Sequence, residues 1–245
     1  MTTTNENSVQ FNPKGFRKIM DFALCAASHD VTRFQLNGLL FSENRIVAAD
    51  GHRLHFQDLP VTLPIGSYLV PRVICEAARE FAKNASYIVK VTLNAKTARF
   101  TFDEDISIEE KYIEAEFPRY QQAVPSNDSL EKGFTSNRRA LVKQLELAYK
   151  NAPESGRVKL VIEPEGGFVI LLSRNEGDKE EKSFRVEKAS LVAAKKFSIS
   201  FNGHYWLESL KAMTCDEVTV RGADSLDPVV ITGAEKTSVI MPMAR

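Results

Sequence analysis

The segment AADGHRLHF holds the densest group of polar side chains whose types are used in catalysis. An enzymatic interpretation of Asp50, His52 and Arg53 makes His52 a general base and Asp50 its orienting partner. Asp-Gly between alternating apolar residues is also a strong hairpin signal, however, and two residues separated by a turn form no triad without further partners. The segment therefore favours a turn between two strands over a catalytic site.

The sequence has no other motif that predicts catalysis or metal binding. It contains no GxxxxGK[ST], GxSxG or HExxH, and no GxGxxG that opens a helix. The three cysteines, Cys25, Cys75 and Cys215, are odd in number and form no CxxC pair, so free thiols in a reducing compartment are expected. We therefore predict a cytoplasmic protein that is not an enzyme and has neither a metal site nor a cofactor.

The elements that must position any site follow from a pattern repeated four times. Each copy is a short alternating strand, a residue that starts a helix, and an amphipathic helix. The copies are VQFNPKGFRKIMDFALCAA, SYLVPRVICEAAREFAKNA, KGFTSNRRALVKQLELAYKN and FSISFNGHYWLESLKAM. The predicted helix starts lie near Pro13, Pro71, Asn137 and Gly203, with Asn12, Ser136 and Asn202 as N-caps.

Alternating segments between the helices predict antiparallel strands, because parallel strands would need a crossover, usually a helix, between each pair. The predicted fold class is α+β, with two helices and about seven strands in each half of the chain. Two prolines and the polar stretch SNDS predict a linker at 117–129, between domains at 1–126 and 127–245. The expected strands are 34–41, 45–49, 53–57, 87–93, 98–102, 106–113, 158–163, 167–173, 181–187, 217–222, 228–233 and 237–243.

The charge of the chain is balanced in total but segregated along the sequence. The chain has 32 basic and 32 acidic residues, yet the helical ranges 13–28, 71–84, 137–150 and 203–213 hold 11 Lys/Arg and 5 Asp/Glu. A surface that is basic along helices suits a polyanion contacted through its phosphates, although a charged solvent face is common in amphipathic helices. The basic residues are Lys14, Arg17, Lys18, Arg72, Arg79, Lys83, Arg138, Arg139, Lys143, Lys150 and Lys211.

The chain ends in the apolar segment SVIMPMAR, where two methionines bracket a proline. Such a segment is either ordinary core or one side of a binding groove. Methionine suits a groove because its unbranched thioether adapts its shape, and Pro242 belongs at a sheet edge or strand end.

Four segments, AADGHRLHF, FPRYQQAVPSN, FNGHYWLESLKAM and the terminal VIMPM, together resemble the bacterial DNA polymerase III beta subunit, the replicative sliding clamp. RFQLNGLLF resembles a strand pair of the same family, and the resemblance runs in order from about Val9 to Arg245. It implies two clamp domains in a ring around duplex DNA, with two helices of each domain facing the hole. The basic helix residues would then contact DNA phosphates without sequence preference.

The resemblance also implies a pocket for short peptides of a DNA polymerase, a clamp loader and repair proteins. Gln122 and Ala123 replace a more basic and bulkier pair common in the family, and MPMAR departs from its usual ending, so partner preference is expected to differ. The implied pocket residues are Leu36, Ala49, Gly51, His52, Arg53, Leu54, Pro118, Gln122, Ala123, Tyr205, Val239, Ile240, Met241, Pro242 and Met243.

Family chains have three such domains, and the sequence resembles only the second and third. Since family rings contain six domains, we expect a closed, head-to-tail homotrimer of about 82 kDa, three times the 27.4 kDa of one chain. Two alternatives remain open: a monomeric clamp-like module that occupies partner peptides without encircling DNA, and an enzyme that uses Asp50, His52 and Arg53.

Overall fold

The computed structural model describes residues 7–187, 189–192 and 195–243. Its contacts divide the chain into two compact units, with the division between Arg119 and Tyr120. We call the part up to Arg119 unit 1 and the part from Tyr120 unit 2. The division lies within the segment 117–129, where two prolines and polar residues predict a linker. Ala244 and Arg245, the last residues of the resemblance, lie outside the described residues.

Unit 1 builds its core between two helices and two antiparallel sheets. The sheets have the strand orders β1-β6-β7-β8 and β4-β3-β2-β5, and buried side chains of both sheets meet those of both helices. Among the described residues, the elements are β1 (Ser8–Phe11), α1 (Pro13–Leu24), a 3₁₀ helix (Val31–Leu36), β2 (Gly38–Ser42), β3 (Arg45–Ala49), β4 (Arg53–Asp58), β5 (Ser67–Pro71), α2 (Arg72–Phe81), β6 (Val89–Leu93), β7 (Thr97–Phe102) and β8 (Ile106–Lys111).

Unit 2 repeats this plan with the strand orders β12-β11-β10-β14 and β13-β9-β15-β16-β17, again antiparallel. Two short 3₁₀ helices (Tyr120–Ala123 and Asn127–Ser129) precede its first strand. The remaining elements are β9 (Lys132–Asn137), α3 (Arg138–Lys150), β10 (Arg157–Glu163), β11 (Phe168–Ser173), β12 (Lys182–Val186), β13 (Ala189–Leu191), β14 (Phe197–Asn202), α4 (Gly203–Ala212), β15 (Glu217–Gly222), β16 (Val229–Gly233) and β17 (Lys236–Ile240). The predicted α+β class is confirmed. None of the described helices is long and apolar enough to span a bilayer.

The helix starts follow the sequence prediction with two corrections. Asn12 and Asn202 are N-caps, as predicted, since their side chains accept hydrogen bonds from the backbone N–H groups of Gly15 and His204. The cap of α3 is Asn137, which accepts from the Ala140 N–H, and not Ser136, which lies inside β9 and is buried. Pro71 ends β5, so α2 begins one residue later.

The strand predicted at 34–41 is wrong in its first half. Residues Val31–Leu36 form a 3₁₀ helix, and the strand begins only at Gly38. Asp30 caps this helix by accepting hydrogen bonds from the N–H and the hydroxyl of Thr32, and Phe34 is exposed. The apolar alternation of FQLNGLLF therefore does not mark one continuous strand.

The C-terminal end of α4 is held by two cations from other elements. Arg138, at the start of α3, donates from Nη1 to the carbonyl of Leu210 at 3.1 Å and from Nε to that of Cys215 at 2.7 Å. The buried Lys236 of β17 donates to the carbonyl of Ala212 at 2.9 Å. Positive charge at this end of a helix satisfies its last carbonyls and complements its dipole.

Candidate functional site

The basic residues of unit 1 differ in how far their charge is compensated. Lys14 is exposed and Arg17 half-buried on α1, and the described residues give neither of them an ion pair. On α2, by contrast, Arg72 pairs with Glu76 at 2.7 Å. Of the two helices of unit 1, α1 therefore carries the basic side chains that have no ion pair within the described residues. The other basic residues of these two helices have acidic partners or neighbours: Arg79 pairs with Asp21 and Glu80, Lys83 pairs with Glu80, and Lys18 lies near Asp21 in sequence.

The same asymmetry appears in unit 2. Arg139 and Lys143 are exposed on α3, and the described part of the chain gives them no ion pair. Lys211 of α4 pairs with Glu146 at 2.7 Å, and its hydrogen bond holds the pKa of that carboxyl below its ordinary value. Lys150 adds a further exposed cation at the end of α3. In the described part of both units, the first helix carries exposed or half-buried cations without an ion pair: Lys14 and Arg17 on α1, and Arg139 and Lys143 on α3.

Arg138 has a structural role that the sequence does not reveal. Its guanidinium binds the carbonyls at the end of α4, and its backbone N–H donates to the carbonyl of Asp216. We therefore leave Arg138 out of the cationic surface, which we define as Lys14, Arg17, Arg139, Lys143 and Lys150.

The Asp50 turn lies between β3 and β4. Oδ1 of Asp50 accepts the backbone N–H groups of His52 and Arg53, at 2.8 and 2.9 Å. Oδ2 accepts from Nε of the buried Arg53 at 3.1 Å. These bonds close the turn and hold its geometry, which is the structural role that the Asp-Gly signal predicts.

Arg33, which sequence reasoning missed, lies over this turn. Gly51 has a φ of +90°, and a Cβ added there would come within 2.5 Å of Nη1 of Arg33. Arg33 belongs to the 3₁₀ helix, whose last residue, Leu36, is buried. The only sequence signal for this approach is the glycine itself, which permits both the positive φ and the close contact.

Gly51→Ala is expected to lower the free energy of unfolding by about 1–2 kcal/mol, the ordinary cost of a side chain at positive φ. It should also displace the Arg33 guanidinium. Gly167→Ala is the matched control, because Gly167 has a φ of +63° and open space around the added Cβ. Unfolding in urea is measured for both variants and for Gly51→Ala combined with Arg33→Ala. The comparison separates the cost of backbone strain from the cost of the contact between the added Cβ and the Arg33 side chain. Wild-type stability of Gly51→Ala would contradict the prediction.

The C-terminal tail of unit 2 turns away from its sheet. β17 ends at Ile240, so the strand predicted at 237–243 is too long by three residues. Val239 and Ile240 are buried, whereas Met241 is 43% exposed. The N–H of Met243 donates to the carbonyl of Ser200 at 2.8 Å, next to a cavity of about 250 Å³ lined by Lys159, Ser198, Ile199, Ser200, Ser225, Leu226 and Met243.

Hydrogen bonds connect β17 to α4. The hydroxyl of Ser238 donates to that of Ser209 at 3.2 Å, and the Ser209 hydroxyl donates to the carbonyl of Tyr205 at 2.7 Å. Tyr205 lies half-buried in the first turn of α4. The tail strand and Tyr205, both implied in peptide binding, are therefore linked within unit 2.

The remaining predicted pocket residues belong to both units. Ala49 ends β3 and Leu54 is buried in β4, both in unit 1, where Pro118 is exposed. Gln122 and Ala123 are exposed in the 3₁₀ helix that opens unit 2. Within the described ranges, no three His, Cys, Asp or Glu side chains are grouped to hold a metal ion.

Comparison with known families gives two matches that together cover nearly the whole chain. Residues 121–244 match the profile of the DNA polymerase III beta subunit, C-terminal domain. Residues 10–119 match the profile of the DNA polymerase III beta subunit, central domain.

Individual relatives agree with these matches. The beta sliding clamp of Caulobacter vibrioides is 28% identical over 227 residues, which cover 87% of this chain and 59% of the relative. The beta sliding clamp of Escherichia coli is 27% identical over 238 residues, which cover 93% of this chain and 63% of the relative. The chain thus spans about three fifths of the length of these relatives.

Solved structures show the same fold. A DNA polymerase sliding clamp from Pseudomonas aeruginosa superposes with a TM-score of 0.87 at 21% identity, over 100% of this chain and 69% of that one. A Caulobacter crescentus beta sliding clamp superposes with a TM-score of 0.87 at 24% identity, over 100% of this chain and 68% of that one.

Proposed function

Because the chain belongs to the DNA polymerase III beta subunit family, we propose that it acts as a DNA sliding clamp that encircles duplex DNA and tethers a polymerase. The observation that carries the proposal is the cationic surface on α1 and α3, the equivalent helices of two repeated domains. Four of its five cations, Lys14, Arg17, Arg139 and Lys143, have no ion pair within the described residues, so their charge is available to phosphates. The family is that of a non-enzymatic processivity factor, and the proposal includes no catalysis.

Contact through phosphates makes DNA binding independent of sequence and sensitive to salt. A ring needs only modest attraction of this kind, because topology prevents it from leaving DNA without opening. The four exposed or half-exposed cations Lys14, Arg17, Arg139 and Lys143 are repeated in every copy of the chain. An assembly of several copies therefore surrounds the duplex with positive charge.

The proposal assigns partner binding to the residues that the resemblance implies, in the Asp50 turn of unit 1 and in the tail of unit 2. A DNA polymerase and a clamp loader would present a short extended peptide with a glutamine and large apolar side chains. The exposed Met241 and the half-buried Met243 offer adaptable apolar surface to such side chains. The protein would act in the cytoplasm, where its free cysteines stay reduced.

For a polypeptide of these two domains, three copies supply the six domains of a family ring. We therefore expect light scattering of the 245-residue protein, over a dilution series at moderate salt, to give about 82 kDa, three times 27.4 kDa. The ring is then tested on duplex DNA that is anchored at one end. The other end is left free while the protein loads and is then blocked. Retention only after blocking supports encirclement.

A mass of about 27 kDa at every concentration, with no retention on blocked DNA, would contradict the clamp. If such a monomer still bound partner peptides, it would be a clamp-like module that occupies those peptides without encircling DNA.

A further inference from the structure

Two cavities lie side by side on the sheet β12-β11-β10-β14 of unit 2. The smaller one, of about 250 Å³, is the cavity next to Met243. The larger one has a volume of about 660 Å³, which is in the ordinary range for a ligand site. Lys159 and Ser200 line both cavities, so a single extended ligand that crosses these two residues can occupy both.

Lys159 lies on the face of this sheet that points away from the core. Its neighbours in β10, Val158 and Leu160, are fully buried, so the Lys159 side chain stands on the opposite face. The register places Lys159 between Ser200 of β14 and Leu172 of β11. Helix α3 packs against the buried face of the same sheet. Lys159 is therefore separated from the cationic surface of α3 by the thickness of the sheet.

The charge of Lys159 is not compensated within the chain as described. The side chain is half-buried, and the described residues give it neither an ion pair nor a hydrogen bond. Its ammonium group has three donors, and charge-assisted hydrogen bonds to a carboxylate are among the strong ones. A carboxylate that reaches the boundary between the two cavities therefore finds a cation ready to bind it.

The larger cavity changes sign across its width. Arg157 and Lys159, which line it from β10, are both basic. The opposite wall is formed by the segment 174–182, which joins β11 to β12 and holds four acidic and three basic residues. Because β11 separates β12 from β10, the two walls are about 10 Å apart. An acidic group of a ligand is thus favoured over β10 and not at the far wall.

We propose that Lys159 binds an acidic side chain of the partner peptide, in a flanking segment that leaves the tail at Met243 and crosses the outer face of the sheet. The inference rests on the proposed function, which assigns the peptide to the tail. It adds a specificity-determining residue outside the apolar contacts, because peptides with an acid in this flank would be preferred over peptides without one.

The spacing of the acid follows from the sheet. The N–H of Met243 donates to the carbonyl of Ser200 at 2.8 Å, so the tail lies one strand spacing from β14, and β10 is the next strand. Two spacings amount to about 10 Å, and an extended peptide advances about 3.3 Å per residue. The acid is therefore expected about three residues beyond the end of the motif that lies at Met243. About six residues beyond it, the flank would reach the segment 174–182.

Fluorescence anisotropy of labelled peptides tests the preference and its spacing. The parent peptide has one glutamine followed by Leu and Phe, with uncharged flanks. Two derivatives carry a glutamate three residues before the glutamine or three residues after the phenylalanine, and two more carry it six residues away. One of the two near positions should strengthen binding about fivefold, as a favourable exposed ion pair does, and the distant positions should not. No gain at either near position would overturn the proposal.

Charge reversal identifies the cation. Lys159→Glu should weaken binding of the favoured glutamate peptide at least about tenfold, because repulsion replaces attraction, and a lysine in place of that glutamate should restore binding. Restored binding also shows that the variant is folded. Lys90→Glu is the matched control: Lys90 is half-buried and lies opposite Gln10 of β1, as Lys159 lies opposite Ser200 of β14. The control should leave affinity within about twofold of wild type.

Equal losses from Lys90→Glu and Lys159→Glu would attribute the effect to net charge and overturn the proposal. Lower retention of Lys159→Glu on blocked DNA would also overturn it, because the lysine would then serve phosphates. A parent peptide that depends on Met241 and Met243 but gains nothing from Lys159 overturns this inference and leaves the tail assignment intact. No binding of the parent peptide to the wild type overturns both.

Discussion

Arg139→Glu combined with Lys143→Glu is expected to abolish retention of the protein on end-blocked duplex DNA without changing its mass. Both side chains are exposed on α3 and have no ion pair within the described residues, so their charge is available to phosphates. Each lost phosphate contact lowers the slope of log affinity against log salt by about 0.9. A trimer that loses all six contacts at once would therefore lose a slope of about 5.

The control for this variant carries the same change of charge away from the helices. Lys96→Glu combined with Lys196→Glu alters two exposed lysines, of which Lys96 lies beside the β6–β7 turn and Lys196 precedes β14. Retention and its salt dependence are measured for both variants on the same anchored duplex. Equal losses in the two variants would mean that net charge, and not the surface of α3, governs retention.

Neutralising variants then test the difference between the helices. Lys14→Gln with Lys143→Gln removes uncompensated charge from α1 and α3, whereas Arg72→Gln with Lys211→Gln removes cations already paired with Glu76 and Glu146. The first pair should reduce the salt slope by more than the second. An identical reduction would show that the ion pairs leave those cations free to contact DNA.

Met241→Asp combined with Met243→Asp is expected to weaken binding of a partner peptide at least about 100-fold, or about 2.7 kcal/mol. Burying one methionine side chain contributes about 1.5–3 kcal/mol, and a carboxylate in its place adds a desolvation cost. The assay is fluorescence anisotropy of a labelled peptide with one glutamine followed by Leu and Phe. The mass of the protein should stay unchanged, since both residues lie beyond β17.

Val192→Asp is the matched control for the tail variant. Val192 is 43% exposed, as Met241 is, and it lies outside the residues implied in peptide binding. The substitution adds one of the two negative charges of the tail variant, at an apolar position as exposed as Met241, and should leave peptide affinity within about threefold of wild type. Wild-type peptide affinity of the Met241→Asp, Met243→Asp protein would refute the assignment of partner binding to the tail.

Local patterns predict most of the fold because they act over a few residues. Asn12 and Asn202 cap helices next to them in the sequence, and the Asp-Gly turn closes on its own backbone. The α3 cap was misplaced by one residue, since Ser136 and Asn137 are both suitable types and only the end of β9 decides between them. The fold class, the helix starts and most strands can therefore be predicted from the sequence.

Long-range contacts explain what the sequence could not predict. Arg138 looks like a member of the basic helix face, but its partners, Leu210 and Cys215, are more than 70 residues away. Lys211 is likewise paired with a glutamate on α3. Charge counts along a helix cannot separate compensated from uncompensated cations.

The hydrogen bonds that join β17 to α4 have a thermodynamic consequence. Lys236 fixes the strand to the carbonyl of Ala212, and Ser238 and Ser209 continue the link to the carbonyl of Tyr205. Under the proposed assignment of partner binding to the tail, these bonds fix β17 before a peptide binds, so binding would lose little conformational entropy in that strand. A rigid strand followed by flexible methionine side chains would allow the tail to accept different apolar residues of a peptide at nearly equal affinity.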